Sequence, residues 1–322
     1  MHNRIWISAA ACTVLLAIGL SWADEPAAAP PPPAASQPAS ASGPVTITIF
    51  STNDIHDHME GFQQVIGYVR AFRAKDPNAL LLDAGDMTGT GEEALGITRA
   101  EAMWCMALAA RYDAVIFGNH DHGNGKARLI ELGEKYPAMP MLMANVKFGE
   151  KEQDLANRFP PYKMFQFQGV KVAVIGVSSS DVRYTKKNRF ELYYEVPIVH
   201  QYVRKLRKEA DIIIAITHLD EGSDFAIGSG PDAPDLIVGG HSHGAPCTVW
   251  GREKKSFLIK AGRYGRVLGK VTIVWDGSKI SSLKGELLGP TKDWPEDEPV
   301  TTLLKAYRKA NEERKAKESS NK

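Results

Sequence analysis

The sequence predicts an α/β sandwich, and three observations predict it. Short apolar runs of strand character recur between residues 45 and 238, helical patterns stand between several of them, and five small polar clusters fall where such runs end. Val45 to Phe50 alternates β-branched and aromatic residues with Thr, as a half-buried strand does. Leu80 to Asp83, Asp113 to Phe117, Met141 to Asn145, Val170 to Gly176, Ile212 to Thr217 and Leu236 to Val238 read as strands covered on both faces. Phe62, Val65, Ile66, Val69 and Phe72 recur at helical spacing, as do Val199, Tyr202, Val203 and Leu206. Alternation of strand and helix is the signature of an α/β layer architecture. Beyond residue 244, Thr248 to Trp250, Ser256 to Lys260, Val267 to Trp275 and Ile280 to Leu288 read as strands that complete the domain. Asp297 to Lys317 reads as a helix anchored by Leu303, Leu304 and Tyr307, followed by a frayed polar end.

The chain has 322 residues, 43% hydrophobic and 24% charged, enough for one large domain with a real core. Lys and Arg number 39 against 38 acidic residues, a balance without the basic clustering of a nucleic-acid surface. Residues 1–23 have the layout of a secretory signal peptide: Arg4, an apolar run from Ile5 to Leu20, and Ser21-Trp22-Ala23 before a cut at Asp24. The run is too short for a membrane span and lacks a stop-transfer flank, and Ala9-Ala10-Ala11 is a poor lipoprotein context for Cys12. Residues 24–43, almost wholly Ala, Pro and Ser, read as an extended linker. The expected organisation is therefore leader 1–23, linker 24–43, catalytic domain 44–290, and a helix with polar tail at 291–322. Such a leader points to a periplasmic or extracellular protein, not stably inserted in a membrane. Cys105 and Cys247 read as isolated buried thiols in preference to a bridge, and neither has zinc-thiolate spacing.

The polar clusters carry the chemistry. They are Asn53-Asp54-Ile55-His56, Gly85-Asp86, Gly118-Asn119-His120-Asp121, Thr217-His218 and Gly239-Gly240-His241-Ser242-His243. Each follows a strand, and in α/β sheets ligands collect at the carboxyl ends of strands. Singly, Asp-x-His and Gly-Asp are ordinary turn sequences. Two imidazoles one residue apart after paired glycines are harder to explain by packing. Asp54, His56, Asp86, Asn119, His218, His241 and His243 together offer seven oxygen or imidazole donors, one carboxylate of which can bridge. Such a set suits two divalent ions, and mixed N/O donors without thiolate fit Mn, Zn, Fe or Co.

The order and wording of these motifs resemble the calcineurin-like metallophosphoesterase family, and its 5′-nucleotidase branch in particular, from Val45 to about Leu288. The resemblance implies a four-layer α/β/β/α sandwich with the metals between two sheets. It implies one ion on Asp54, His56 and His243, another on Asn119, His218 and His241, and Asp86 bridging. A hydroxide shared by the ions would attack phosphorus, with His120, not a ligand, stabilising charge or protonating the leaving oxygen. The implied activity is a secreted phosphomonoesterase or 5′-nucleotidase-like phosphatase acting on small phosphoesters, nucleotides among them, in nucleotide catabolism, with no nucleic-acid polymer as partner. Two alternatives share the motifs: a thiosulfohydrolase-like enzyme on the same scaffold, and a non-catalytic metal-binding interaction module.

Three features depart from the family pattern. Gly123 stands where an Asp orients the histidine, so Asp121 or another carboxylate is expected to take that task. His122 stands where an aromatic is usual. About 30 residues follow the last expected strand, too few for the C-terminal domain that grips the nucleoside. Arg183, Lys186, Lys187 and Arg189 read first as a solvated loop and second as a segment facing an anionic substrate. Asp57 and His58 read as supporting or surface residues, and His200 as structural.

Overall fold

The computed structural model describes residues 43–181, 189–253 and 255–320, apart from the Lys151 side chain. The leader and linker expectations, and Arg183, Lys186 and Lys187, lie outside the described residues.

Two sheets form the centre. The first has the order β11-β10-β1-β2-β3, with β1 Val45–Thr52, β2 Ala79–Asp83, β3 Ala114–Val115, β10 Leu268–Trp275 and β11 Ile280–Leu288. The second has the order β4-β5-β6-β7-β9-β8, with β4 Tyr162–Phe167, β5 Val170–Ser178, β6 Ile212–His218, β7 Leu236–Gly239, β8 Cys247–Trp250 and β9 Ser256–Lys260. β1, β2 and β3 are parallel, as are β5, β6, β7 and β9, so their carboxyl ends share one edge of each sheet. The late strands divide: β10 pairs antiparallel with β1, while β9 extends the second sheet beside β7.

Three apolar clusters separate four layers. Val45, Ile47, Ile49, Leu80 and Leu82 of the first sheet meet Val172, Val174, Ile214, Ile216 and Val238 of the second. Alternate residues point to opposite faces of a strand. Accordingly Phe50 and Leu81 face outward, onto helices Phe62–Arg73, Glu101–Ala110 and Glu298–Ser320. On the far side Ala173, Ile175, Ile213 and Ile237 pack against Val199, Val203 and Leu206 of helix Glu195–Leu206. The architecture is the expected α/β/β/α sandwich.

Four expectations need correction. Met141 to Asn145 is not a strand; Met141 makes a single bridge to Val115, because Pro140 and the turn at Ala144 and Asn145 cut the run short. Tyr162–Phe167 is a strand that its alternating, half-exposed pattern hid, since it is the edge beside β5. The last helix runs to Ser320 and buries Val300 and Asn311 besides the three anchors foreseen, with Arg308 paired to Glu92. Both described cysteines are free thiols, but Cys247 is only half-buried.

Candidate metal centre

The five clusters stand at the carboxyl ends of β1, β2, β3, β6 and β7, drawn from both sheets. The loops after β1 and β2 are zipped together, Asp54 N–H donating to Gly85 O and His56 N–H to Asp86 O, both at 2.9 Å. Five of the seven donor residues, Asp54, His56, Asp86, His241 and His243, have φ between 51° and 74°. Non-glycine residues rarely adopt that region, and such strain collects at functional sites. The glycines serve close approach instead: a Cβ on Gly118 would lie 2.1 Å from Asp86 Oδ1, and one on Gly240 2.6 Å from Ala84 O.

Each carboxylate has one oxygen tied down and one facing the centre. Asp54 Oδ2 accepts from Asn53 Nδ2 at 2.6 Å and from His241 N–H at 2.9 Å. Its Oδ1 is buried without a hydrogen bond, 3.3 Å from His243 Nε2 and 3.5 Å from His56 Nε2. Asp86 Oδ1 accepts from His120 N–H at 2.7 Å, while Oδ2 faces His218 Nε2 at 3.3 Å and His56 Nε2 at 3.8 Å. On the other flank Asn119 Oδ1 lies 3.2 Å from His218 Nε2 and 2.9 Å from His241 Nδ1. His56 Nε2 and His243 Nε2 stand 3.1 Å apart.

These spacings test the fit to metal ions. Donor atoms bound to one ion at about 2.1 Å stand about 3.0–3.4 Å apart, from octahedral to tetrahedral geometry. Asp54, His56 and His243 bring their facing atoms to 3.1–3.5 Å of one another on one side, Asn119 Oδ1 lies 2.9 and 3.2 Å from the His241 and His218 nitrogens on the other, and Asp86 Oδ2 stands 3.3 and 3.8 Å from His218 and His56. His56 and His218 turn their remaining nitrogen, Nδ1, to the Thr88 and Ala84 carbonyls at 3.2 and 2.7 Å. Those bonds fix the tautomer with Nε2 free, the usual outer support of a ligating histidine. The residues fit.

Electrostatics agree with a demand for positive charge. Burial raises the Asp54 carboxyl, but the hydrogen bonds of His243 and His56, then the charge of His218, hold it well below the carboxylate range. Burial lowers His218, yet the Asp86 and Asp54 carboxylates and the Ala84 carbonyl push it up to about 10. His241 is lowered to about 4 by burial and by the charge of His218.

His120 is exposed, its ring 4.7 Å from that of His56. Asp121 does not orient it. The Asp121 carboxylate instead accepts from the N–H groups of Asp86, Thr88 and Gly118 and from Thr88 Oγ1, at 2.7 to 2.9 Å. His122 is buried between Phe117 and Phe190, taking the aromatic's place. Arg189 is half-buried, and its Nη2 lies 3.6 Å from where a Cβ on Gly123 would stand, so the space over Gly123 holds a guanidinium. Asp57 is buried, its Oδ2 accepting from Gly89 N–H at 2.8 Å, and His200 Nε2 meets the Ile227 carbonyl at 3.1 Å.

Lys260 escaped sequence reasoning because it closes an apolar strand and resembles an edge charge. It is fully buried, donates to Gly240 O at 2.9 Å and Ser242 Oγ at 3.2 Å, and pairs with Asp224 at 2.7 Å. It thereby braces the loop that carries His241 and His243.

The family model for calcineurin-like phosphoesterases matches residues 47–245, which spans all five clusters. The chain belongs to the calcineurin-like phosphoesterase family. It is 28% identical to the protein UshA of Yersinia enterocolitica over 75% of this chain and 51% of that protein. It is 27% identical to human 5′-nucleotidase over 83% of this chain and 53% of that protein. Among solved structures, the 5′-nucleotidase precursor of Thermus thermophilus superposes with a TM-score of 0.72 at 26% identity, covering 82% of this chain and 59% of that one. The phosphoesterase chain thus spans about half the length of the curated relatives it matches. It is a metallophosphoesterase domain related to 5′-nucleotidases, with candidate ligands for divalent ions. Among the described residues, no helix is long and apolar enough to cross a membrane.

Proposed function

We propose that the protein is a phosphoester hydrolase that works with two divalent ions, on small soluble phosphoesters with nucleotides as a candidate class. Asp54, His56 and His243 would hold one ion, Asn119, His218 and His241 the other, and Asp86 would be shared between them. The observation that carries this reading is the Asp86 carboxylate, whose Oδ1 is fixed by the His120 N–H while Oδ2 faces imidazoles of both groups. When bound, the ions supply Lewis-acid charge to the phosphate oxygens and lower the pKa of water.

The chain's own residues do the rest. Thr88 O and Ala84 O hold the neutral forms of His56 and His218 in the tautomer that would leave Nε2 free for an ion. Asp121 and Lys260 fix the loops that carry Asp86 and His241. His120, exposed and free to turn toward a substrate, hands a proton to the departing oxygen. Arg189 adds positive charge beside the same turn, where a phosphate carries its negative charge. The leader-like residues 1–23 support export, and N-terminal sequencing of the mature protein checks the cut before Asp24.

The experiment is a metal-reconstituted assay across nucleoside monophosphates, cyclic nucleotides and simple phosphate esters, run in labelled water. Label is expected in the released phosphate. Full activity after chelation, or no turnover of any ester with metal restored, contradicts the reading.

A further inference from the structure

The edge of the centre beside His56 carries an aromatic ring and two guanidinium groups to which the chemistry above assigns no task. Tyr264 lies in the turn after β9 at φ 65°, its N–H donating to the Asp54 carbonyl at 2.8 Å. A turn of purely structural purpose would favour Gly or Asn in that region of backbone space. The Tyr264 ring is half-exposed, with its centroid 4.0 Å from that of His58, 6.0 Å from His56 and 6.4 Å from His243. The guanidinium carbons of Arg263 and Arg266 stand 4.8 and 5.7 Å from it. Both arginines are exposed. Arg266 has a loose, exposed contact with Glu60 at 3.7 Å. Among the described residues no carboxylate pairs with Arg263, whose Nη1 lies 3.4 Å from His243 Nδ1.

Placement gives this group its meaning. His120 and Tyr264 both flank the His56 ring, at 4.7 and 6.0 Å between centroids. A phosphoryl group over the metal donors, with its departing oxygen on the His120 side, directs the rest of the molecule along this edge. We infer that Tyr264, Arg263 and Arg266 form the leaving-group subsite, which favours esters whose alcohol carries a planar ring and an anionic substituent. The ring stacks on Tyr264, and the substituent meets the guanidinium of Arg263. This rests on the hydrolase reading and adds a specificity-determining surface to it.

The test compares benzyl phosphate with n-propyl phosphate, whose alcohols leave with similar acidity, and adds 4-carboxybenzyl phosphate as the anionic probe. Wild type is expected to favour the benzyl ester. Tyr264→Leu should lower the benzyl-to-propyl ratio of kcat/KM about tenfold, mainly through KM, as loss of a stacking face does. Tyr264→Phe should keep the ratio. Arg263→Gln should lower 4-carboxybenzyl relative to benzyl phosphate about fivefold. Tyr264→Asn, which suits the left-handed backbone, replaces the leucine variant should that one not fold. Equal loss on both esters in Tyr264→Leu, or an unchanged ratio, overturns the subsite while the hydrolase reading stands. A metal-loaded wild type that turns over other phosphoesters but none of these three overturns the subsite, and one that turns over no ester at all removes the hydrolase reading, and the subsite with it.

Discussion

Asp121 accepts the backbone N–H of Asp86 at 2.7 Å, and the same carboxylate oxygen takes the N–H of Gly118 at 2.9 Å. One buried side chain thereby spaces the two loops that present Asp86 and Asn119. An amide in its place would set an NH2 against N–H donors. Asp121→Asn is expected to weaken metal binding about 10- to 100-fold, measured by titration of the metal-free protein. An unchanged affinity would show that the loops keep their spacing without the carboxylate.

His120 is expected to matter for turnover and not for metal content. Its imidazole is exposed and lies beside His56 without a hydrogen bond among the described residues. His120→Ala should lower kcat about 100- to 10,000-fold, the usual range for a lost acid–base group. Metal stoichiometry should stay as in wild type. Loss of one ion in this variant would make His120 a ligand.

Lys260 and Asp224 form an ion pair with no exposed side-chain surface. Burial raises the Asp224 carboxyl, and the Lys260 charge opposes that shift. Lys260→Met leaves the carboxylate unpaired and should cost about 3–5 kcal/mol, seen as a lower Tm. Combining it with Asp224→Leu should recover most of the stability. Metal affinity should remain reduced in the double variant, because the Gly240 carbonyl and Ser242 hydroxyl still lack their brace.

His122 links the site to acid stability. Burial, then the charge of Arg189, lower its pKa to about 3, and neither ring nitrogen has a hydrogen-bond partner among the described residues. The unfolded chain, with an ordinary histidine near pH 6.5, therefore binds the extra proton between about pH 6.5 and 3. His122 contributes fully above that window, and its contribution is lost as pH falls through it, by on the order of 4 kcal/mol at the bottom. His122→Phe should flatten the acid limb of a stability-against-pH profile from chemical denaturation. An identical limb in the variant would place the acid sensitivity elsewhere.

The fold was legible where periodicity was strong. Buried runs such as Ile212 to Thr217 and Leu80 to Asp83 can only be interior strands, and the helical spacing of Phe62 to Phe72 is unambiguous. Tyr162–Phe167 was not legible because an edge strand alternates with solvent and mimics a polar loop. That Asp54, His56, Asp86, Asn119, His218, His241 and His243 would gather at the carboxyl ends of strands was legible from motif order. Their supports were not. The carboxylate of Asp121 works through backbone N–H groups that any sequence would supply. Lys260 reaches its loop only because β9 lies beside β7, a neighbour relation that no local pattern encodes. Arg189 sits over Gly123 because Phe190 is buried against Phe117, which depends on packing between distant segments.

These seven donors are expected to bind two ions with Asp86 shared between them. Calorimetric titration of Mn2+ or Zn2+ into metal-free protein, in buffers of different protonation enthalpy, tests this directly. Two equivalents per chain are expected, with net proton release as His218 gives up its proton to become a ligand. In Asp86→Asn the second equivalent should weaken sharply. Binding of a single equivalent, or two that are indifferent to Asp86, contradicts the account.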